Sequence, residues 1–313
     1  MKAAYLTERA GPEGLAIGYL PQPRPGRDEV LVEVHSTAVT PSEFNWYPTF
    51  HTRNGEPRPF PIVLSHEFSG VVARVGDAVS ALKAGDAVYG MNDWFADGAQ
   101  AEYCLAPGAA VALKPKTLDH SKTAVVPISA LTAWQGLFER CRLKAGERVL
   151  IHGGAGGVGV FAVQLARWYG AHVIATASAH NLDFVRSLGA HEVIDYQTTH
   201  FEQLARDIDV VFDAVGGETL VQSWNVLRPS GRIVTIAAQS EVASAQRSPD
   251  VFFIVEPNRA QLDELARLLD AGIIRPFVEA VFALAQVGEA YSCAKRGGVR
   301  GKVALRVEAG ESP

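Results

Sequence analysis

The sequence predicts an α/β chain with a β-barrel-like domain followed by a doubly wound parallel-sheet domain. Three observations predict it. The chain has 313 residues, 48% of them hydrophobic, which exceeds the size at which a single core usually stops growing. Its first third is a series of short β-like runs broken by Gly, Pro and Asp, and its middle alternates apolar strands with helical stretches.

Over residues 1–118 the runs EVLVEVHSTAV, SGVVARVG, DAVYGM, AEYCLA and AAVALK read as strands of the barrel-like domain. From 119 to 257, ERVLIHG, HVIATA, HEVIDY, DVVFDAV and GRIVTIA read as successive strands of right-handed βαβ units. Beyond them NRAQLDELARLLDAG is an amphipathic helix, and FVEAVFAL and KVALRV are strands again. Residues 258–313 are therefore expected to return to the first domain and complete it.

Composition narrows the partner. A formal charge of -5 and a pI near 6.0 argue against nucleic acid or an anionic membrane surface, which leaves a small molecule. Cys104, Cys141 and Cys293 form no CxxC pair, so neither a disulfide framework nor a zinc knuckle is indicated. The opening MKAAYLTERAG lacks a signal-like apolar run, and no stretch approaches the roughly 18 apolar residues of a membrane helix. The expected location is the cytoplasm.

The stretch RVLIHGGAGGVGVFAVQLARWYG carries the chemistry. An apolar run ends in Gly154, Gly156 and Gly159, a GxGxxG pattern that opens a helix, and strand, glycine turn and helix in that order form a dinucleotide-binding arrangement. Glycine lets the turn be tight, the backbone approach a pyrophosphate and the helix pack on its strand, while free amides and the positive helix end face the phosphates. Gly154, Ala155, Gly156, Gly157, Val158 and Gly159 are the expected contacts; the bland alternative is a tight turn with no ligand. At the end of the next strand an NAD enzyme offers a carboxylate to the ribose. Here TASAHN presents Ser178, His180 and Asn181 with no acid before Asp183, and all three side chains donate hydrogen bonds to a 2'-phosphate. NADP(H) is therefore expected over NAD(H). His180 can also be a solvated loop residue, and Arg186 a surface arginine.

SHEFSGVVARVG, ALTAWQGL, HGGAGGVG, LGAHEVIDY, DAVGG and RGKVALRV, taken in that order, resemble the medium-chain dehydrogenase/reductase superfamily over nearly the whole chain, within its zinc-independent quinone oxidoreductase-like branch. The resemblance implies a GroES-like catalytic domain, a Rossmann domain, a cleft between them and a homodimer. It places Thr132 at the nicotinamide ribose, Val215, Gly216, Ala237, Ala238 and Phe253 to Val255 around the ring, and Tyr196 at the adenosine end.

Zinc-dependent relatives carry a Cys, a His-Glu pair and a third ligand where this chain has Thr40, His66 with Glu67, and Ile128. A catalytic zinc takes three ligands from Cys, His and carboxylate, so no metal is expected. Oxidising an alcohol needs a Lewis acid to hold an alkoxide. Without one, the accessible reaction is hydride delivery to a quinone or an α,β-unsaturated carbonyl. In the loop TPSEFNWYPTFHTRNG, Tyr47 is a candidate proton donor, Ser42 or Asn45 a candidate carbonyl ligand, and Phe44 with Trp46 a candidate apolar wall; aromatics in a Pro-rich loop are more often packing residues than catalysts. The insert at 51–63 carries Arg53 and Arg58, which suit a phosphate-bearing substrate or simply a solvated loop. Two rivals stand beside the quinone or enone reductase: an enoyl-thioester reductase of a biosynthetic pathway, and a non-catalytic NADPH-binding protein.

Overall fold

Alternation of apolar side chains builds the first domain. In the computed structural model, which describes residues 1–237 and 251–307, eight strands form before residue 118: β1 (Lys2–Leu6), β2 (Leu15–Tyr19), β3 (Glu29–Ala38), β4 (Ile62–Val63), β5 (Glu67–Val75), β6 (Ala87–Met91), β7 (Tyr103–Pro107) and β8 (Val111–Leu113). Val30, Val32 and Val34 of β3 enter the barrel core while Glu33 and His35 lie nearer the surface, the period-2 pattern of a strand with one face buried. The short β1, β2 and β4 form a separate antiparallel sheet. β1 and β2 lack the alternation of buried and more exposed residues that marks β3, and β2 is without a single buried residue.

The second domain needs no alternation, because both faces of its sheet are covered. Strands β9 (Arg148–His152), β10 (His172–Ala177), β11 (Glu192–Asp195), β12 (Ile208–Asp213) and β13 (Leu227–Thr235) run parallel in the order β11-β10-β9-β12-β13. Every residue of β12 is buried; Val210 and Phe212 face one apolar cluster, Ile208 and Val211 another.

The helices are α1 (Tyr47–Phe50), α2 (His120–Ala124), α3 (Pro127–Trp134), α4 (Gly159–Trp168), α5 (Leu182–Ser187), α6 (Gly217–Ser223), α7 (Arg259–Asp270) and α8 (Val287–Lys295). Asn258 caps α7 by accepting from the Gln261 amide (3.1 Å), as N-cap asparagines do. The leucines at 262, 265 and 269 share one helical face and pack with the buried residues of α3 and α4. Tyr89 of the barrel donates to the Leu262 carbonyl at 2.6 Å, so α7 lies on the join between the domains. After it come β14 (Val278–Ala283) and β15 (Lys302–Arg306), and β15 pairs antiparallel with β3. The chain thus returns to its first domain. On the way the Gly301 amide donates to the Ala155 carbonyl (2.9 Å), stitching that last strand to the glycine turn.

The three cysteines are free and buried; burial pushes the thiols of Cys104 and Cys141 up to about 12. Among the described residues no helix is long and apolar enough to cross a membrane. Ala238 and residues 308–313 lie outside the described residues.

His152, the last residue of β9, is fully buried, its ring nitrogens 3.2 Å from Thr176 Oγ1 and 3.0 Å from Ser223 Oγ. Burial holds its pKa down at about 4, with the neighbouring Asp213 charge only partly opposing. The fold keeps the ring neutral, whereas the unfolded chain takes up a proton near the ordinary value of 6.5. Stability is therefore complete above pH 6.5 and falls as pH drops toward 4, by roughly 3 kcal/mol from this residue. Denaturant titrations at pH 7 and pH 5 should show this slope, and His152→Gln should flatten it.

Candidate active site

Strand order fixes where a ligand sits. The chain leaves β9 on one side toward β10 and β11 and on the other through β12 and β13, which opens a crevice beyond the carboxyl ends of β9 and β12. The glycine turn forms one wall. A Cβ on Gly159 would lie 2.0 Å from the Gly153 carbonyl oxygen, and one on Gly154 would press on Ala175 and Val185 at 3.1 Å. Packing alone requires Gly159 and leaves a side chain at 154 tightly pressed. Ala155, Gly156, Gly157 and Val158 form the tip, and a Cβ on Gly156 would meet nothing nearer than 3.5 Å. That opening, next to the first amides of α4, fits a pyrophosphate.

Asp213 organises the opposite wall. Its buried carboxylate accepts from the amides of Val215 (3.0 Å) and Gly216 (3.0 and 3.1 Å) and from Thr235 Oγ1 (2.7 Å). Gly216 takes φ +79°, a left-handed conformation that glycine adopts without strain. Thr235 Oγ1 accepts in turn from the Ala237 amide (3.2 Å). One carboxylate therefore shapes the Val215, Gly216 and Ala237 segments together.

Thr132 on α3 is 4% exposed and donates its hydroxyl to Ile128 O in the preceding turn at 2.6 Å, which leaves the oxygen free to accept. One turn on, Gln135 donates to Glu256 O (2.7 Å) and Gln261 Oε1 (2.9 Å) and accepts from the Glu256 amide (3.0 Å). It clamps the segment holding the buried Phe253 and Val255, where the helix widens over Gln135–Arg140 into i→i+5 bonding, a distortion frequent at functional sites. Trp94 of the barrel donates to Val255 O at 3.2 Å. Sequence reasoning quoted Gln135 only inside ALTAWQGL and gave it no role, because its partners lie more than a hundred residues away.

At the end of β10 the expected trio divides. Ser178 and Asn181 are buried and His180 is exposed. The Asn181 amide contacts Gly298 O at 3.4 Å and accepts from Arg300 Nε at 2.8 Å, so it holds the corner together rather than facing it. Arg300 also donates to His180 O (2.9 Å) and lies over the Phe184 ring (4.9 Å). It brings to this corner a cation that TASAHN does not announce, because Arg300 lies 119 positions from Asn181. Arg186 pairs with Asp183 at 2.7 Å. Tyr196 is exposed, its amide bonded to Ala177 O, and so stands beside Ser178.

Ser42, Asn45 and Tyr47 are exposed on the loop after β3, and the Tyr47 ring stacks on His51 (4.1 Å, 4°). Phe44 is not the expected cleft wall. It is 9% exposed and packs edge-on against Tyr291 (4.9 Å) in the barrel core. Trp46 meets Trp94 edge-on (5.2 Å), and Trp94 covers His66 (5.4 Å). Both insert arginines are paired, Arg53 with Asp93 and Arg58 with Asp97.

The positions where zinc-dependent relatives hold their metal are engaged otherwise. Thr40 Oγ1 accepts from Lys302 Nζ at 3.0 Å, and Glu67 accepts from Lys302 through Oε1 and from the Ile128 amide (2.9 Å) through Oε2. His66 faces Glu43 Oε1 (2.6 Å) with one ring nitrogen and Ala96 O (3.2 Å) with the other. With a threonine and an isoleucine at two positions and both histidine nitrogens committed, these residues do not fit a catalytic zinc.

Residues 26–116 match the alcohol dehydrogenase GroES-like domain and residues 188–305 a zinc-binding dehydrogenase domain. The 2-methylene-furan-3-one reductase of Solanum lycopersicum is 35% identical, covering 89% of this chain and 71% of its own. The chloroplastic NADPH-dependent alkenal/one oxidoreductase of Arabidopsis thaliana is 33% identical over 97% of this chain and 79% of its own. The quinone oxidoreductase structure from Coxiella burnetii superposes with a TM-score of 0.90 over 98% of this chain and 99% of that one, at 29% identity. The chain belongs to the medium-chain dehydrogenase/reductase superfamily, in its quinone oxidoreductase-like branch, and is a nicotinamide-dependent oxidoreductase.

Asp213→Asn removes a charge and turns an amide N–H toward backbone donors. The expected cost is roughly 2–5 kcal/mol, measured as a fall in Tm and in the denaturation midpoint at unchanged slope.

Proposed function

We propose that this chain is a zinc-independent, NADPH-dependent reductase of small quinones or α,β-unsaturated carbonyls. The observation that carries the reading is the engagement of Thr40, His66 and Glu67 by Lys302, Glu43, Ile128 and Ala96. Alcohol oxidation in this superfamily leans on a Lewis acid to hold an alkoxide. Reducing an acceptor already activated by conjugation requires mainly position and polarisation. When bound, the dinucleotide supplies the hydride. The glycine turn and the Val215, Gly216 and Ala237 segments hold it, and Thr132, Phe253 and Val255 set the face of its ring. Trp46 and Trp94 make an apolar wall that limits water. Ser42, Asn45 and Tyr47 are the loop's hydrogen-bonding groups toward an acceptor. The names of the tomato and Arabidopsis relatives, a furanone reductase and an alkenal/one oxidoreductase, agree with this acceptor class. With both insert arginines paired to aspartates, nothing in that loop favours a carrier-bound thioester. The preference for NADPH rests on the lack of an acid within TASAHN and on Arg300, whose guanidinium is held there by Asn181 and His180 while its amide donates to Glu279 (3.0 Å). Operation as a homodimer belongs to the same reading on the family likeness, and a cytoplasmic location on the three free, buried thiols.

Oxidation of NADPH should be followed against quinones, enones, enals and enoyl thioesters, with NADH in parallel and a chelator in half the samples. The expected result is turnover of quinones or enones with NADPH, indifferent to chelator; dependence on metal, or turnover confined to thioesters, would overturn the reading. Arg300→Ala should weaken NADPH binding by about tenfold or more while leaving NADH unchanged, as expected for one charge-assisted hydrogen bond of roughly 1.5–3 kcal/mol. Fluorescence titration with both dinucleotides reads this directly.

A further inference from the structure

Lys302 is held where three segments of the site meet. It opens β15 directly after Gly301, whose φ of +74° and whose Cβ position, 2.1 Å from Phe277 O, admit only glycine. The Gly301 amide is fixed to the Ala155 carbonyl, so the backbone of Lys302 has little freedom. Its stem crosses the glycine turn, where a Cβ on Gly157 would come within 2.8 Å of Lys302 Cγ. Its ammonium ends against Thr40 Oγ1 and Glu67 Oε1 with the side chain only 10% exposed. Thr40 begins the loop that carries Ser42, Asn45 and Tyr47. The other Glu67 oxygen accepts from Ile128, whose carbonyl takes the Thr132 hydroxyl. Glycine turn, substrate loop and Thr132 helix thus converge on one cation.

Burying an ammonium and a carboxylate together gains little stability over an apolar pair of similar shape. An ammonium has three N–H donors, and among the described residues Thr40 and Glu67 accept two. One donor is left for a ligand, at the place where zinc-dependent relatives hold their electrophile.

We propose that Lys302 is the electrophilic residue of this cleft, donating its remaining N–H to the carbonyl oxygen of the acceptor. This rests on the conjugated-carbonyl reading above. As the hydride forms a C–H bond at the β-carbon, the alkene π pair shifts toward the carbonyl and negative charge collects on oxygen. Lys302 holds that charge and keeps its proton. Water then protonates the α-carbon, so the acceptor gains one hydride and one proton and the dinucleotide leaves oxidised. A fixed positive charge aimed at developing negative charge is the usual form of such stabilisation. Glu67 is a positioning residue that keeps the ammonium against Thr40.

The test uses the full-length protein with its best enone. Lys302→Ala should lower kcat at saturating NADPH by roughly a hundredfold or more, a loss far larger than any change in NADPH affinity read by fluorescence. Added methylamine or ethylamine should restore part of kcat in proportion to its concentration, and Lys302→Arg should retain more activity than the alanine variant. An unchanged kcat would overturn the assignment. So would a loss confined to the KM for NADPH, or a fall in kcat that neither amines nor arginine relieve. Should the alanine variant fail to fold, the arginine variant decides: activity as low as that of Lys302→Met overturns the proposal. Absence of enone and quinone turnover in the wild-type protein would instead bring down the reductase reading and this assignment with it.

Discussion

The bond from the Gly301 amide to the Ala155 carbonyl is the contact on which the site depends. It joins the last strand of the catalytic domain to the turn that opens α4, and the chain has no local reason to bring them together. Glycine is required on both sides: Gly301 takes a left-handed φ against Phe277, and Gly159 abuts the Gly153 carbonyl. From that stitch Lys302 lies across the turn and Arg300 reaches Asn181. The two ends of the cofactor crevice are therefore finished by residues of the other domain.

Within the crevice, shape comes from polar groups satisfied by the protein itself. Asp213 collects the amides of two consecutive residues and a threonine hydroxyl, and Gln135 answers both backbone groups of Glu256. Such fully paired buried groups make a wall rigid. Ser42, Asn45 and Tyr47, the groups proposed to meet the acceptor, are by contrast exposed.

Much of this was legible in the sequence for local reasons. A strand, a glycine turn and a helix declare themselves within about twenty residues because their packing is local, and the leucines of α7 declare a helix by spacing alone. The five parallel strands, and KVALRV as a strand, followed from the same kind of pattern. What the pattern could not give were contacts between distant segments. Lys302 and Thr40 are 262 positions apart, and Arg300 and Asn181 are 119 apart. Phe44 carried two readings from its loop, cleft wall or packing residue, and the fold takes the second by turning it against Tyr291, a choice that depends on α8 and not on its neighbours. β1 buries two consecutive residues, β2 buries none and β4 has only two residues, so none of them shows a period.

The burial of all three cysteines has a consequence for survival in the presence of the proposed substrates. Conjugated carbonyls and quinones alkylate thiolates, and only the deprotonated sulfur reacts appreciably. Cys104 and Cys141, with thiols held near 12, offer almost no thiolate at neutral pH, and Cys293 lies behind the barrel wall. A chain proposed to handle electrophiles at every turnover thus keeps all three of its thiols buried away from them.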